Sequence, residues 1–263
     1  MLEITRYEVS RRIRGSLVLS VLLAAFGGMM LAFFPSIKAS GAALDEYVRN
    51  FPPALREMFG VEAITTIGGF LATEVYQFVW VLLLGVYFAY RSSSLIAADV
   101  ESHRIDLLLA TPVTRSKVVL ERFAALLPTV VLVNVLVAPV VYLGTVLVGE
   151  SISATNLVAV HLLSIPYFLA CAGVGLVLSV LTSSESRANR VAIGLIFGLF
   201  VLDSLAATTD YAWSGALSPT RYFDPTAILT RGEYDLLGGL VLVGMAVVLV
   251  LLARELFRRK DVE

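Results

Sequence analysis

One cysteine and two histidines are all the thiol and imidazole groups that this chain has. Cys171 lies in an apolar block with no second cysteine to pair with, so it is read as a small buried apolar residue. His103 and His161 stand too far apart in sequence for a local metal site, and no H-E-x-x-H occurs. His161, inside an apolar block, suits a hydrogen-bonded packing role. No G-x-S-x-G and no paired nucleophile and base are visible, which argues against a membrane-embedded hydrolase. No G-x-x-x-x-G-K-[ST] is present, so the chain lacks the loop that cradles nucleotide phosphates, and no cofactor is expected in it. Charge is scarce too: 16% of residues are charged, against roughly 25% in a soluble domain. The net charge of −1 gives no general attraction to nucleic acid.

What the chain has instead is apolar mass, 58% of 263 residues. It is collected into blocks of about 20 residues or more, the length that crosses a hydrocarbon core roughly 30 Å thick. The pattern predicts an all-α, polytopic membrane protein, with residues 1–263 as a single transmembrane domain. Six spans are expected at 15–34, 64–90, 118–148, 155–182, 191–208 and 236–256. The second, third and fourth exceed the bilayer requirement and should tilt or project into water. The first block follows a basic segment, as in a signal peptide. It runs from Gly15 to Phe34 without a small-x-small cleavage site, so a retained span is the reading.

Orientation follows from the basic residues. Alternate inter-span segments carry Arg6, Arg11, Arg12 and Arg14; Arg91, Arg104, Arg115, Lys117 and Arg122; Arg187 and Arg190; and Arg254, Arg258, Arg259 and Lys260, 15 of the 20 Lys and Arg. The other side holds five: Lys38, Arg49, Arg56, Arg221 and Arg231. The split predicts a multi-pass protein of the plasma membrane with both termini cytoplasmic. On the outer side, Phe51, Leu55, Met58 and Phe59 suggest a short amphipathic helix broken at Pro52 and Pro53. Tyr211, Trp213, Tyr222 and Phe223 suit an interfacial aromatic belt.

The most informative stretch is 91–122. It is longer than the roughly 2–8 residues that join helices in a bundle. Val100 to Leu109 could form a short helix with Glu101 near its start, where a carboxylate favours the helix dipole. Thr111 before Pro112 ends it, and Thr114 is placed to cap the third span. The leucines of this helix bury either against the protein's own spans or in the groove of a soluble partner.

The run from Glu101 to Arg115, E-x-x-x-I-D-L-L-L-A-T-P-V-T-R, resembles the signature of type-2 ABC exporter permeases. That signature has a glutamate, a Gly-Thr pair, a Leu-Glu-Leu-Leu-Leu run, a Pro-Val pair, and Ser or Thr before Arg. Glu101, Asp106, Leu107, Leu108, Leu109, Pro112, Val113, Thr114 and Arg115 match; His103 and Arg104 stand in place of the Gly-Thr pair. The segment also falls between spans two and three of six, as in that family, and Tyr7-Glu8 to Arg14 extends the likeness to the N-terminal part. The resemblance implies a permease working as a dimer, homo- or heteromeric, with two ATP-binding ATPase subunits that hold ATP and Mg. Residues 100–112 would be a coupling helix seated in the ATPase, with Glu101, Asp106, Leu107, Leu108, Pro112 and Arg115 as its ATPase-coupling residues. Residues 1–14 would be an interfacial elbow helix anchored by Arg6, Arg11 and Arg12. For these arginines a plain positive-inside anchor is an equal reading.

Ionisable groups inside spans cost roughly 2.5–3.5 kcal/mol at the bilayer centre, which makes them functional candidates. Glu74 and Gln77 lie three apart on the second span, Asn134 midway along the third, and Asp203 late in the fifth. The resemblance implies a pathway lined by spans two and five, hence by such residues; the other reading sends Glu74 and Asp203 to the outer headgroups. A channel or ion-coupled transporter using these carboxylates is the alternative function. Gly194 and Gly198 form a G-x-x-x-G that suits dimer packing, with Asp203 about 140–180° around the helix from them. Pro128, Pro139 and Pro166 are expected to bend spans three and four. The few charges within spans favour a hydrophobic or amphipathic cargo.

Overall fold

The computed structural model describes residues 3–41, 46, 50–59, 64–105, 113–207 and 209–260. Every regular element among them is helical, and six helices have the length and apolarity to cross a membrane. The first, α1 (Glu3–Ala39), is one helix of 37 residues. The expected elbow at 1–14 is therefore not a separate element among the described residues. Nothing from Glu3 to Phe34 forces a break: the first proline is Pro35, and Gly15 costs only about 1 kcal/mol in a helix. At 1.5 Å per residue α1 is about 55 Å long, well beyond a hydrocarbon core of roughly 30 Å. Its excess carries Arg6, Arg11, Arg12 and Arg14 past the apolar stretch, and the bundle end they mark is called the basic end below.

A short α2 (Pro53–Phe59) lies on the opposite side. Pro53 opens this helix rather than breaking it, because the first helical position needs no N–H donor. The second span, α3 (Ile67–Glu101), contains a 13-residue π-helical stretch, Ala72–Leu84. Such wide turns loosen the normal i to i−4 ladder. One carbonyl there, that of Val81, accepts a bond from the Tyr167 hydroxyl at 2.7 Å. Gly85 leaves that hydroxyl its room, since a β-carbon would press on it.

The third span is α4 (Arg115–Leu147), with a turn at Ala125–Leu126 and Pro128 at the start of its second part. Thr114 caps it as expected, accepting from the Lys117 N–H at 3.3 Å. Pro139 and Pro166 sit inside α4 and α5 (Ala154–Leu181). Then come α6 (Glu185–Ala206), a loop of short turns, and α7 (Leu236–Arg259), which Asp235 caps. α6 starts earlier than the expected 191 and takes Arg187 and Arg190 into its first turns.

Burial separates the spans into two classes. In α3 and α5 about two thirds of the apolar window is buried (67% and 61%), against 22–33% in the other four. These two therefore form the core, and the others present side chains such as Val18, Val21, Phe197 and Val248 outward to lipid. The α3–α5 contact is close because Gly175 lies against the Ala89 backbone, where any β-carbon would collide. Tyr76, Trp80, Phe88, Tyr167 and Phe168 fill the centre. On the flank, α1 and α4 run side by side, joined midway by the Ser16 and Thr129 hydroxyls at 2.7 Å and at the far end by Lys38 and Glu150. The protein is a multi-pass, all-helical membrane protein.

Candidate functional site at the basic end

Helix ends at the basic end are capped by side chains from other helices. A helix start exposes unpaired N–H groups and a helix finish exposes carbonyls, so a carboxylate suits the first and a cation the second. Glu101, the last residue of α3, accepts from the Glu185 N–H at 2.8 Å and from the Ser184 hydroxyl at 3.5 Å. Ser184 makes no side-chain cap of its own, so Glu101 supplies the cap for α6. The sequence reading put Glu101 at the start of a short helix beginning at Val100. It ends α3 instead, and the helix start it serves lies 84 residues on.

Arg115, the first residue of α4, donates to the carbonyl of Lys260 and to that of Phe257 at 3.4 Å, and lies 5.8 Å over the Phe257 ring. Its charge therefore sits on the finish of α7. Lys260 in turn donates to the carbonyls of Val180 (2.8 Å) and Thr182 (3.1 Å), at the finish of α5. Burial holds its ammonium below the usual lysine range. Buried Glu121 of α4 accepts from the Ile4 and Thr5 N–H groups at 3.0 and 3.2 Å, with Lys117 at 3.6 Å. Asp99 of α3, also buried, pairs with Arg122 of α4 and with Arg104 at 3.3 Å. Sequence reasoning missed Asp99, Glu121 and Lys260 as a group, because their partners are backbone groups or residues far along the chain.

Between Glu101 and Arg115 the backbone leaves α3 at Ser102 and His103. His103 has a left-handed φ of 54°, and it stands at the glycine position of the resembled signature. Glycine takes that conformation without a steric penalty, whereas a residue with a β-carbon does so rarely. The backbone thus turns at a position where the resembled signature has the residue best suited to a turn. Asp106, Leu107, Leu108, Leu109 and Pro112 lie outside the described residues. Arg6 and Arg11 are exposed, while Arg12 pairs with Glu8 one turn back at 2.9 Å.

The polar residues within the spans are distributed differently from a single pathway. Asn134 is buried and belongs to a chain that joins α3, α4 and α5. Its amide donates to the Val130 carbonyl at 2.9 Å, which leaves Oδ1 to accept from His161 Nδ1 (2.8 Å) and the Ser164 hydroxyl (2.9 Å). His161 Nδ1 is then the protonated nitrogen, so Nε2 accepts from the Tyr76 hydroxyl at 2.9 Å. Trp80 meets the imidazole edge-on at 5.3 Å. This is the hydrogen-bonded packing role expected of His161.

Toward the opposite end, Gln77 donates to the Met58 carbonyl of α2 at 3.2 Å. Glu74, half-buried one turn away, has no polar partner among the described residues. Asp203 accepts from Thr220 at 2.9 Å and has Arg221 at 4.0 Å, so the loop after α6 folds back onto it. From that loop Phe223 turns inward to stack on Tyr167 at 5.4 Å, while Tyr211 and Trp213 stay exposed at 69% and 73%, as a surface belt requires. Gly194 and Gly198 face open space, with nothing within 4 Å of a built β-carbon.

No curated protein matches this chain. The family whose model matches residues 2–262 is described as ABC-2 family transporter protein. A match over nearly the whole chain, on a bundle with six helices able to span a membrane, decides the matter: the chain belongs to the ABC-2 family and is a membrane-spanning transport subunit of an ABC transporter, distinct from the ATPase.

Proposed function

We infer that this protein is an export permease driven by ATP hydrolysed in a separate subunit, with the basic end in the cytoplasm and both termini there, in the plasma membrane. The working assembly is two permease chains, alike or different, with two ATP-binding subunits that hold ATP and Mg. The cargo is hydrophobic or amphipathic, in keeping with the few charges inside the spans.

One observation carries the reading: the two residues that flank positions 102–114 in the chain are each fastened to another span, Glu101 to the start of α6 and Arg115 to the finish of α7. A partner that moves this segment displaces α3 and α4 directly, and through these two caps α6 and α7 as well. Lys260 passes the displacement to the end of α5, and Glu121 to the start of α1. A loop fixed only at its own ends would lack that reach. The resemblance assigns Leu107 and Leu108 to ATPase coupling. The ion-coupled alternative has less support, because Asp203 is engaged by Thr220 and Arg221.

Co-expression with a candidate ATP-binding subunit tests the reading. The expected result is a stable complex whose ATPase rate responds to the permease. Leu107→Asp with Leu108→Asp lowers complex recovery about tenfold, as charging two apolar residues of a docking segment should, while the permease alone purifies as before. Unchanged recovery and coupling in that variant, or transport that continues without ATP hydrolysis, overturns it.

A further inference from the structure

A cavity of about 600 Å³ opens at the basic end between α1, α3, α4 and the start of α6. Five arginines reach it, Arg11, Arg12, Arg91, Arg104 and Arg122, against three carboxylates, Glu8, Asp99 and Glu185. The cations are therefore in excess, and they are incompletely used. Glu8 takes Arg12 Nε, and Asp99 with the Leu95 carbonyl takes the outer nitrogens of Arg122. Arg12 Nη1 and Arg122 Nε are buried with no acceptor among the described residues. Arg11 and Arg91 have no carboxylate within ion-pair reach among them either. Arg91 and Arg122 both act on Arg12 repulsively.

Buried guanidinium donors without acceptors cost on the order of 1–3 kcal/mol each. The excess of cations and the open donors together call for an anion with several acceptor oxygens. A phosphate fits the demand: its oxygens take the planar forks of more than one arginine at once. The walls say what is attached to it. Tyr87, Phe88 and Leu126 line the cavity beside the arginines, and its inner edge reaches Gly15, Ser16 and Thr129, where the apolar stretch of α1 begins. The cavity therefore straddles the level at which charge gives way to hydrocarbon.

We propose that this cavity binds a phosphate group, carried by the headgroup of an amphiphile in the leaflet at the basic end. The same oxygens could arrive on a soluble phosphate compound, and the experiment separates the two. The proposal stands independently of how the ATPase docks, since it concerns only the isolated permease.

The purified chain in a maltoside detergent, free of phospholipid, is titrated with short-chain phosphatidic acid and, separately, with inorganic phosphate, and its melting temperature is followed. A saturable rise with phosphatidic acid alone assigns the site to a headgroup; an equal rise with inorganic phosphate assigns it to a soluble source. Arg91→Gln removes a cation that holds no carboxylate, and Arg122→Lys keeps the charge facing Asp99 while deleting the Nε donor. Each should raise the half-saturating concentration about tenfold, the worth of one charge-assisted bond. Arg259→Gln, at an exposed position, should leave it unchanged. No rise with either ligand, or equal responses in wild type and both cavity variants, overturns the proposal.

Discussion

At the basic end, helix is fastened to helix through full charges: Glu101, Glu121, Arg115 and Lys260 each sit on backbone groups at another helix's end. Within the span region, the chain joining α3, α4 and α5 through Tyr76, His161, Asn134 and Ser164 has no charged member. The difference follows from the medium. A lone charge in hydrocarbon costs roughly 2.5–3.5 kcal/mol even by the mildest scale, so a deep polar junction has to be neutral and closed, each donor meeting an acceptor. Toward water that cost falls, and salt screens the exposed members such as Glu101, while buried Glu121 keeps its charge because backbone N–H groups and Lys117 pair with it. Fixed packing belongs to the first kind of junction and adjustable coupling to the second.

Breaking the neutral junction at its branch point gives the largest effect. Asn134→Leu strips the acceptor from His161 Nδ1 and one of two from the Ser164 hydroxyl, which keeps the His161 carbonyl at 2.8 Å, and should lower stability by about 2–3 kcal/mol, read by unfolding in mixed micelles, with the same loss in low and high salt. A salt-dependent loss would mean that charge reaches this depth. Glu121→Gln comes next, at about 1–2 kcal/mol. Its effect should be local, as faster amide exchange at Ile4 and Thr5. Tyr76→Phe removes one donor from His161 Nε2 and should cost about 1 kcal/mol in the same micelle assay. The smallest effect has the opposite sign. His103→Gly relieves a left-handed residue and should gain about 0.5 kcal/mol, the unfolded-state entropy of glycine offsetting part of the relief.

The two kinds of junction also differ in how well the sequence announces them. Spans are legible because apolar length and the alternation of Lys and Arg are local signals, and Thr114 was legible as a cap because its partner lies three residues on. The caps supplied by Glu101 and Lys260 were not, since a carboxylate 84 residues from the N–H it serves leaves no trace in spacing. Arg115 and Glu101 were singled out through a family signature, and the structure adds partners within the same chain. Asn134 and His161 stood out as polar residues in apolar blocks, but their meeting depends on the packing of α4 against α5. The continuity of α1 was hidden for another reason. Basic and apolar stretches read as two elements, although a helix passes from one to the other wherever no residue interrupts its hydrogen bonds.

The pairing of α1 with α4 has a mechanical consequence. The two are stitched at three depths: the first-turn N–H groups of α1 to Glu121, Ser16 to Thr129, and Lys38 to Glu150. Two rods bound at top, middle and bottom behave as one plank, with a closed seam along its length. Under the proposed coupling, a pull on Arg115 would lift α1 together with α4, and the joint left to give would be the one between this plank and α3, held at the basic end by Asp99 with Arg122. The arginine-lined cavity lies along that joint.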